Sequence, residues 1–279
     1  MKRLNQLSER DFLSVFFLAF SSSFLVAAFL MPDRAQMLPG LWRIISSPTL
    51  SSTNFFSLGG YAATFLNMGL VGLICTALYR LPGEKANHAA TLVTILTTGF
   101  GSWGIHILNM WPTMLGVVLY ALIKKEKLGG LVNAMLFSTG VAPIVSEMLF
   151  RYPNAEVVGF NVPGLIVTVL VGLFIGFFTP AGCAYAPNAH KGFCLYSAAL
   201  PLGMMAFFLK AVLYTMRGVT LPAAASGFVA QPVIFYAFFG GLFVLCIVLG
   251  LWKNGWSFKG YGQLLKSSGH KTDFSAEFG

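Results

Sequence analysis

Six apolar runs, each long enough to cross a bilayer, constrain this chain more than any other feature. They occupy residues 12–31, 57–79, 129–150, 158–179, 194–215 and 233–252. A helix needs roughly 20 apolar residues to span about 30 Å of hydrocarbon. The fold class that follows is all-α: a polytopic transmembrane helix bundle, with residues 1–279 as a single integral membrane domain. Composition agrees, since only 10% of the residues are charged and the mean hydropathy is +0.75. A soluble domain carries about 25% charged residues.

The excess of 18 Lys and Arg over 9 Asp and Glu gives a net charge of +9. Nucleic acid is not the expected partner, because the cations sit in short tracts between spans, such as Lys124, Lys125 and Lys127. That pattern suits membrane topology and anionic lipid headgroups, so the lipid bilayer is the partner expected. With the N-terminus inside, inner loops hold Lys2, Arg3, Arg10, Arg80 and the 124–127 tract, against Arg34, Arg43, Arg151 and Arg217 outside. A multi-pass protein of the inner or plasma membrane with a cytoplasmic N-terminus is expected. The apolar run behind the charged head, of about 20 residues, is long for a signal-peptide core and is read as a retained span.

Segment 88–123 is too long for one span and tight for two. Gly99, Gly101 and Gly104 cluster in its middle around Ser102, and Pro112 follows. Such a cluster breaks a helix. The expected outcome is a hairpin of a short helix at 89–98 and a longer one at 105–123, either re-entrant at membrane depth or a tight turn at the far surface.

The end of the chain echoes its beginning. Ile44-Ile45-Ser46-Ser47-Pro48, Thr53-Asn54-Phe55 and Gly60 follow the first span. Leu264-Leu265-Lys266-Ser267-Ser268-Gly269, Thr272-Asp273-Phe274 and Gly279 follow the last. This suggests a first repeat unit at about 11–230 and the start of a second at 231–279, so that the chain reads as part of a longer, duplicated protein. If the intervening crossings are odd in number the repeat is inverted, an arrangement that recurs in secondary transporters.

Several stretches resemble a known family. They are Gly59-Gly60-Tyr61 through Asn67-Met68-Gly69, Gly99-Phe100-Gly101 through Asn109-Met110-Trp111-Pro112, Ala142-Pro143-Ile144-Val145-Ser146-Glu147, and His190-Lys191-Gly192-Phe193. Together they are similar to a bacterial family of multi-pass membrane proteins known only as a domain of unknown function. The resemblance covers most of the chain and implies a duplicated unit. It also implies a Lys where this chain has Ile105, so no charge-based role is carried over to that position. It implies no substrate.

Polar residues within the apolar runs are the candidates for function. Asn67 lies mid-span between glycines and either bonds a neighbouring helix or lines a solute path. His106 and Asn109 follow the glycine break at a spacing that shares a helix face. A half-helix beginning near Ser102–Gly104 would turn its positive end toward an anionic or dipolar solute. Glu147, the carboxylate well inside a span, is a coupling candidate, or else an i+4 partner of Arg151. Lys210 is expected to snorkel to the interface, and Gly172 with Gly176 to mark helix packing. Cys75, Cys194 and Cys246 in spans and Cys183 in a loop form no CxxC pair, and the four histidines have no ligand-like spacing, so no metal site or cofactor is expected.

The leading functional expectation is a secondary transporter or channel for a small polar or anionic solute. Its site would comprise Asn67, Gly99, Gly101, Ser102, Gly104, His106 and Asn109, with Glu147 as the coupling residue. A non-transporting membrane scaffold and an intramembrane enzyme using His106 and Glu147 are the alternatives. Homo-oligomerisation is compatible with all three.

Overall fold

The computed structural model describes residues 9–50, 54–81, 88–154, 158–191, 198–221, 230 and 232–267. Every named element among them is a helix, and an isolated bridge between Asn54 and Trp103 is the one strand-like pairing. Six helical segments are long and apolar enough to cross a membrane. Lys2, Arg3, Thr53, Gly192, Phe193, Cys194 and the echoed residues from Ser268 onward lie outside the described residues.

Helix α1 (Glu9–Leu30) leads through a 3-10 turn to the short α2 (Met37–Ile45), then α3 (Phe55–Leu58) and α4 (Tyr61–Leu78). Helices α1 and α4 form the main helix pair of the bundle. Its closeness depends on α4 glycines: a Cβ on Gly69 would lie 2.4 Å from Leu25, and one on Gly72 2.5 Å from the Ser21 hydroxyl. Small residues let helices approach where lipid supplies no hydrophobic drive to association. Phe17, Phe24 and Phe65 fill the remaining space and are buried.

The start of α4 is built by Asp33. Its carboxylate accepts the backbone N–H groups of Tyr61 at 2.7 Å and Ala62 at 3.0 Å. These first-turn donors have no partner within the helix, and an acidic side chain there also matches the helix dipole. Gly60, at φ +88°, allows the chain to turn beneath that carboxylate, where a side chain would strike it.

Helices α5 (His88–Phe100) and α6 (Trp111–Lys124) form the hairpin. At 1.5 Å per residue both are shorter than the hydrocarbon core is thick. The break between them is a non-helical segment, 101–110. Thus α6 begins at Trp111 with Pro112 in its first turn, rather than near residue 105. His106 and Asn109 therefore lie in the break and not on a common helix face. The proposed positive helix end at Ser102–Gly104 does not form.

The run at 129–150 is likewise interrupted. It consists of a 3-10 turn, α7 (Val132–Ser138), a second 3-10 turn at Thr139–Val141 and α8 (Ala142–Arg151). Pro143 has no N–H to continue the ladder, which places the break just before it. Helix α9 runs over Val162–His190, well past residue 179, so Cys183 lies in a helix and not in a loop. Helix α10 covers Ala199–Leu213, with Lys210 exposed in its last turn.

By contact the chain divides into two compact units, residues 1–186 with 196–228, and residues 187–195 with 229–279. The second contains the apolar α11 (Val233–Lys253) and the short α12 (Tyr261–Lys266).

Candidate functional site

The break at 101–110 sits inside the bundle. Gly101, Gly104, Ile105, His106, Asn109 and Met110 are buried, while Trp103 and Leu108 are exposed. Buried backbone outside a helix must find partners for its polar groups. The side chains of Asn67, Thr49, Asn109, His106 and Trp111 provide many of them.

Asn67 reaches from α4. Its amide donates to the carbonyls of Gly101 at 2.7 Å and Ile105 at 2.8 Å. Its Oδ1 accepts the Ile107 N–H at 3.3 Å. All of its strong hydrogen-bonding capacity holds the break, so it joins helix to loop. Thr49 donates to the Gly104 carbonyl at 3.0 Å from the α2–α3 connection.

Asn109 works from within the break. Its Oδ1 accepts the His106 N–H at 2.9 Å, which fixes the amide orientation. Its Nδ2 donates to the Gly104 carbonyl at 2.8 Å and the Ser146 hydroxyl at 3.0 Å, with Thr49 Oγ1 at 3.3 Å. Gly104 has φ +84°, a conformation suited to glycine, and a Cβ there would strike Pro143 of α8.

The tautomer of His106 follows from its neighbours. Nδ1 accepts the backbone N–H groups of Leu108 at 3.3 Å and Asn109 at 3.4 Å. A nitrogen accepting two donors carries no proton, so in the neutral ring the proton is on Nε2. Nε2 lies 3.0 Å from the Ser146 hydroxyl and donates to it. A serine nucleophile needs the opposite polarity, with a bare imidazole nitrogen facing the hydroxyl. The pair is not set up for that chemistry.

Glu147, fully buried, is held by Arg151 one turn on, Oε1 to Nε 3.1 Å. The bonds of His106 run instead to Leu108, Asn109 and Ser146. Gly99 is exposed with open space around it, and Ser102 donates its hydroxyl to the Gly99 carbonyl at 2.7 Å. A Cβ on Gly101 would lie 2.9 Å from Met68 Cα, so that glycine permits packing against α4. Of the residues named as a site, His106 and Asn109 line the cavity beside the break.

That cavity is a cleft of about 610 Å³ between α2, the break, α8 and the first turns of α9. Its polar lining is His106, Asn109, Ser146, Ser46 and Thr168, and none of the described residues that line it is charged. The rest is apolar, and exposed Trp42, Leu108, Phe160, Leu165 and Val169 form much of its rim. Ser146 and Thr49 are the residues that motif reading passes over. Ser146 adjoins Glu147 in a matched stretch, but an isolated hydroxyl in an apolar run carries no signal of its own.

Beyond the cleft, α6 and α9 meet backbone to backbone. A Cβ on Gly176 would lie 1.8 Å from the Thr113 carbonyl oxygen, and one on Gly172 2.3 Å from Pro112. Gly172 and Gly176 thus serve packing.

Fold and lining together define a multi-pass α-helical membrane protein with an interrupted helical hairpin walling an apolar cleft. A family model described as "Protein of unknown function (DUF1576)" matches residues 33–215, well over half of the chain, and the protein belongs to that family. The match takes in every residue of the network and the cleft. No curated protein and no solved structure matches the chain.

Proposed function

We propose that the protein is a membrane transporter for an amphipathic solute that enters the cleft from the bilayer. The observation that carries this reading is the 101–110 break, non-helical backbone held inside a helix bundle as one wall of a cleft. Irregular backbone at membrane depth is tolerated where protein or a cavity accommodates it, and broken helices of this kind build transporter sites.

The lining moves the solute class away from the small polar or anionic one anticipated from sequence. Among the described residues an anion in this cleft would have no Lys or Arg to meet, and an unpaired buried charge costs far more than the neighbouring hydrogen bonds return. An apolar rim admits a hydrocarbon body from the side. Glu147 remains the coupling candidate within this proposal.

The duplicated arrangement belongs to the same reading. Helices α2 and α12 each follow a long apolar helix, and each ends at or within a residue of the echoed Ile-Ile-Ser or Leu-Leu-Lys. Orientation with a cytoplasmic N-terminus completes it.

The test uses purified protein in unilamellar phospholipid vesicles containing a trace of nitrobenzoxadiazole-labelled phosphatidylcholine. Dithionite bleaches outer-leaflet label only. Bleaching beyond the outer-leaflet half, lost in a cleft-filling Thr168→Phe variant that inserts normally, is the result expected. A trace matching protein-free vesicles would overturn the transport reading.

A further inference from the structure

Three hydroxyl side chains line the cleft, and they differ in where their hydrogens go. Ser46 donates to the Trp42 carbonyl at 2.7 Å. Thr168 donates to the Val145 carbonyl at 3.2 Å. Ser146 is different. Both of its partners, His106 Nε2 at 3.0 Å and Asn109 Nδ2 at 3.0 Å, point hydrogens at its oxygen. Neither can accept: the amide nitrogen has no lone pair to offer, and the imidazole nitrogen holds the proton that Nδ1 cannot. The Ser146 hydroxyl therefore has an oxygen serving two donors and a hydrogen with no acceptor among the described residues, on a residue 2% exposed at the cleft wall. Two donors on one oxygen also polarise its O–H and make it a better donor.

A buried donor without an acceptor is costly, and a group supplied by the ligand relieves that cost. The ligand's complementary atom must be an acceptor. It must also be neutral, since no cation lines the cleft among the described residues. It must sit at the end of an apolar body, since most of the remaining wall is apolar. We infer that Ser146 is the specificity residue of the cleft and that its hydroxyl donates to the carbonyl oxygen of an acyl ester drawn from the bilayer. His106 and Asn109 act through Ser146 as positioning residues. This rests on the cleft being the solute site, but it concerns occupancy and not movement.

The experiment is photolabelling of the full chain in phospholipid vesicles, with label mapped by mass spectrometry. Three probes carry the same diazirine on chains of equal length: an acyl methyl ester, an alkane and a free carboxylate at alkaline pH. Label from the ester should concentrate on Trp42 and on residues 145–150 and 158–169, about fivefold above the alkane for one net hydrogen bond. Ser146→Ala should reduce the ester to the alkane's level, and Ser146→Thr should retain the difference. Equal labelling of the cleft by ester and alkane in the unaltered protein overturns the inference, as does a preference for the carboxylate. Because that comparison needs no variant, a folding defect in Ser146→Ala leaves it decisive. Ester-selective labelling beside a failed lipid-crossing assay would overturn transport and leave the recognition intact.

Discussion

His106 and Asn109 bond each other twice. The side-chain oxygen of Asn109 takes the backbone N–H of His106 at 2.9 Å, and the ring Nδ1 of His106 takes the backbone N–H of Asn109 at 3.4 Å. The reciprocity resembles a helix capping box, in which two residues three apart satisfy each other's orphan donors. Here it closes a loop on itself and delays the helix until Trp111.

Asn109→Leu should therefore destabilise the folded protein as well as the cleft. It removes an acceptor and two amide hydrogens from a buried loop, each orphaned partner costing about 1–3 kcal/mol. A fall in apparent Tm in detergent is expected, with faster hydrogen exchange across 101–110. An unchanged Tm would contradict the assignment.

Asn67→Ala should have an effect of similar size at a different place. It leaves the Gly101 and Ile105 carbonyls and the Ile107 N–H without their partner. Hydrogen exchange across 101–110 should accelerate by about tenfold or more per 1.4 kcal/mol lost, while exchange in α9 changes little. Uniform acceleration across the chain would argue against a local role.

For the buried ion pair, one removal should be worse than two. Glu147→Leu breaks the bond to Arg151 and is expected to cost about 3–5 kcal/mol, measured as loss of folded yield and Tm. Adding Arg151→Met should recover much of that loss. If the double variant is less stable than the single one, the pair is not what Arg151 depends on.

Asp33→Ala should lower stability by about 1–2 kcal/mol, the usual scale for an N-cap. Asp33→Asn, which keeps one acceptor for the start of α4, should fall between the two. Thermal denaturation of the three proteins side by side decides this.

At the α6–α9 crossing, Gly176→Ala should prevent close approach, because its methyl group would occupy the Thr113 carbonyl. Gly203→Ala, with open space around it, is the matched control and should fold normally. Comparable loss in both would mean that helix propensity, not packing, governs these glycines.

Much of this architecture is legible in hydropathy because the bilayer demands uninterrupted apolar length. The i+4 pair of Glu147 and Arg151 is equally readable, since helix geometry alone brings them together. The glycines at 99–104 place the break but do not set its length. Ile105 to Asn109 carry no local signal against helix, and what keeps them non-helical is competition by the side chains of His106 and Asn109 for backbone donors. Asn67 reads correctly as a buried amide that requires a partner, but its partners lie 34 to 40 residues away. Ser146 and Thr49 acquire meaning only from tertiary neighbours.

The glycine crossing has a mechanical consequence. Most helix contacts have a cushion of rotamers, so that one helix can shift while side chains absorb the displacement. Between Thr113 and Gly176 there is no cushion, only carbonyl against α-carbon. A tilt of α9 is passed on to α6, and from Pro112 to the segment ending at Met110. Two walls of the cleft are thereby yoked, and a widening of its mouth falls to the sides of α2 and α8.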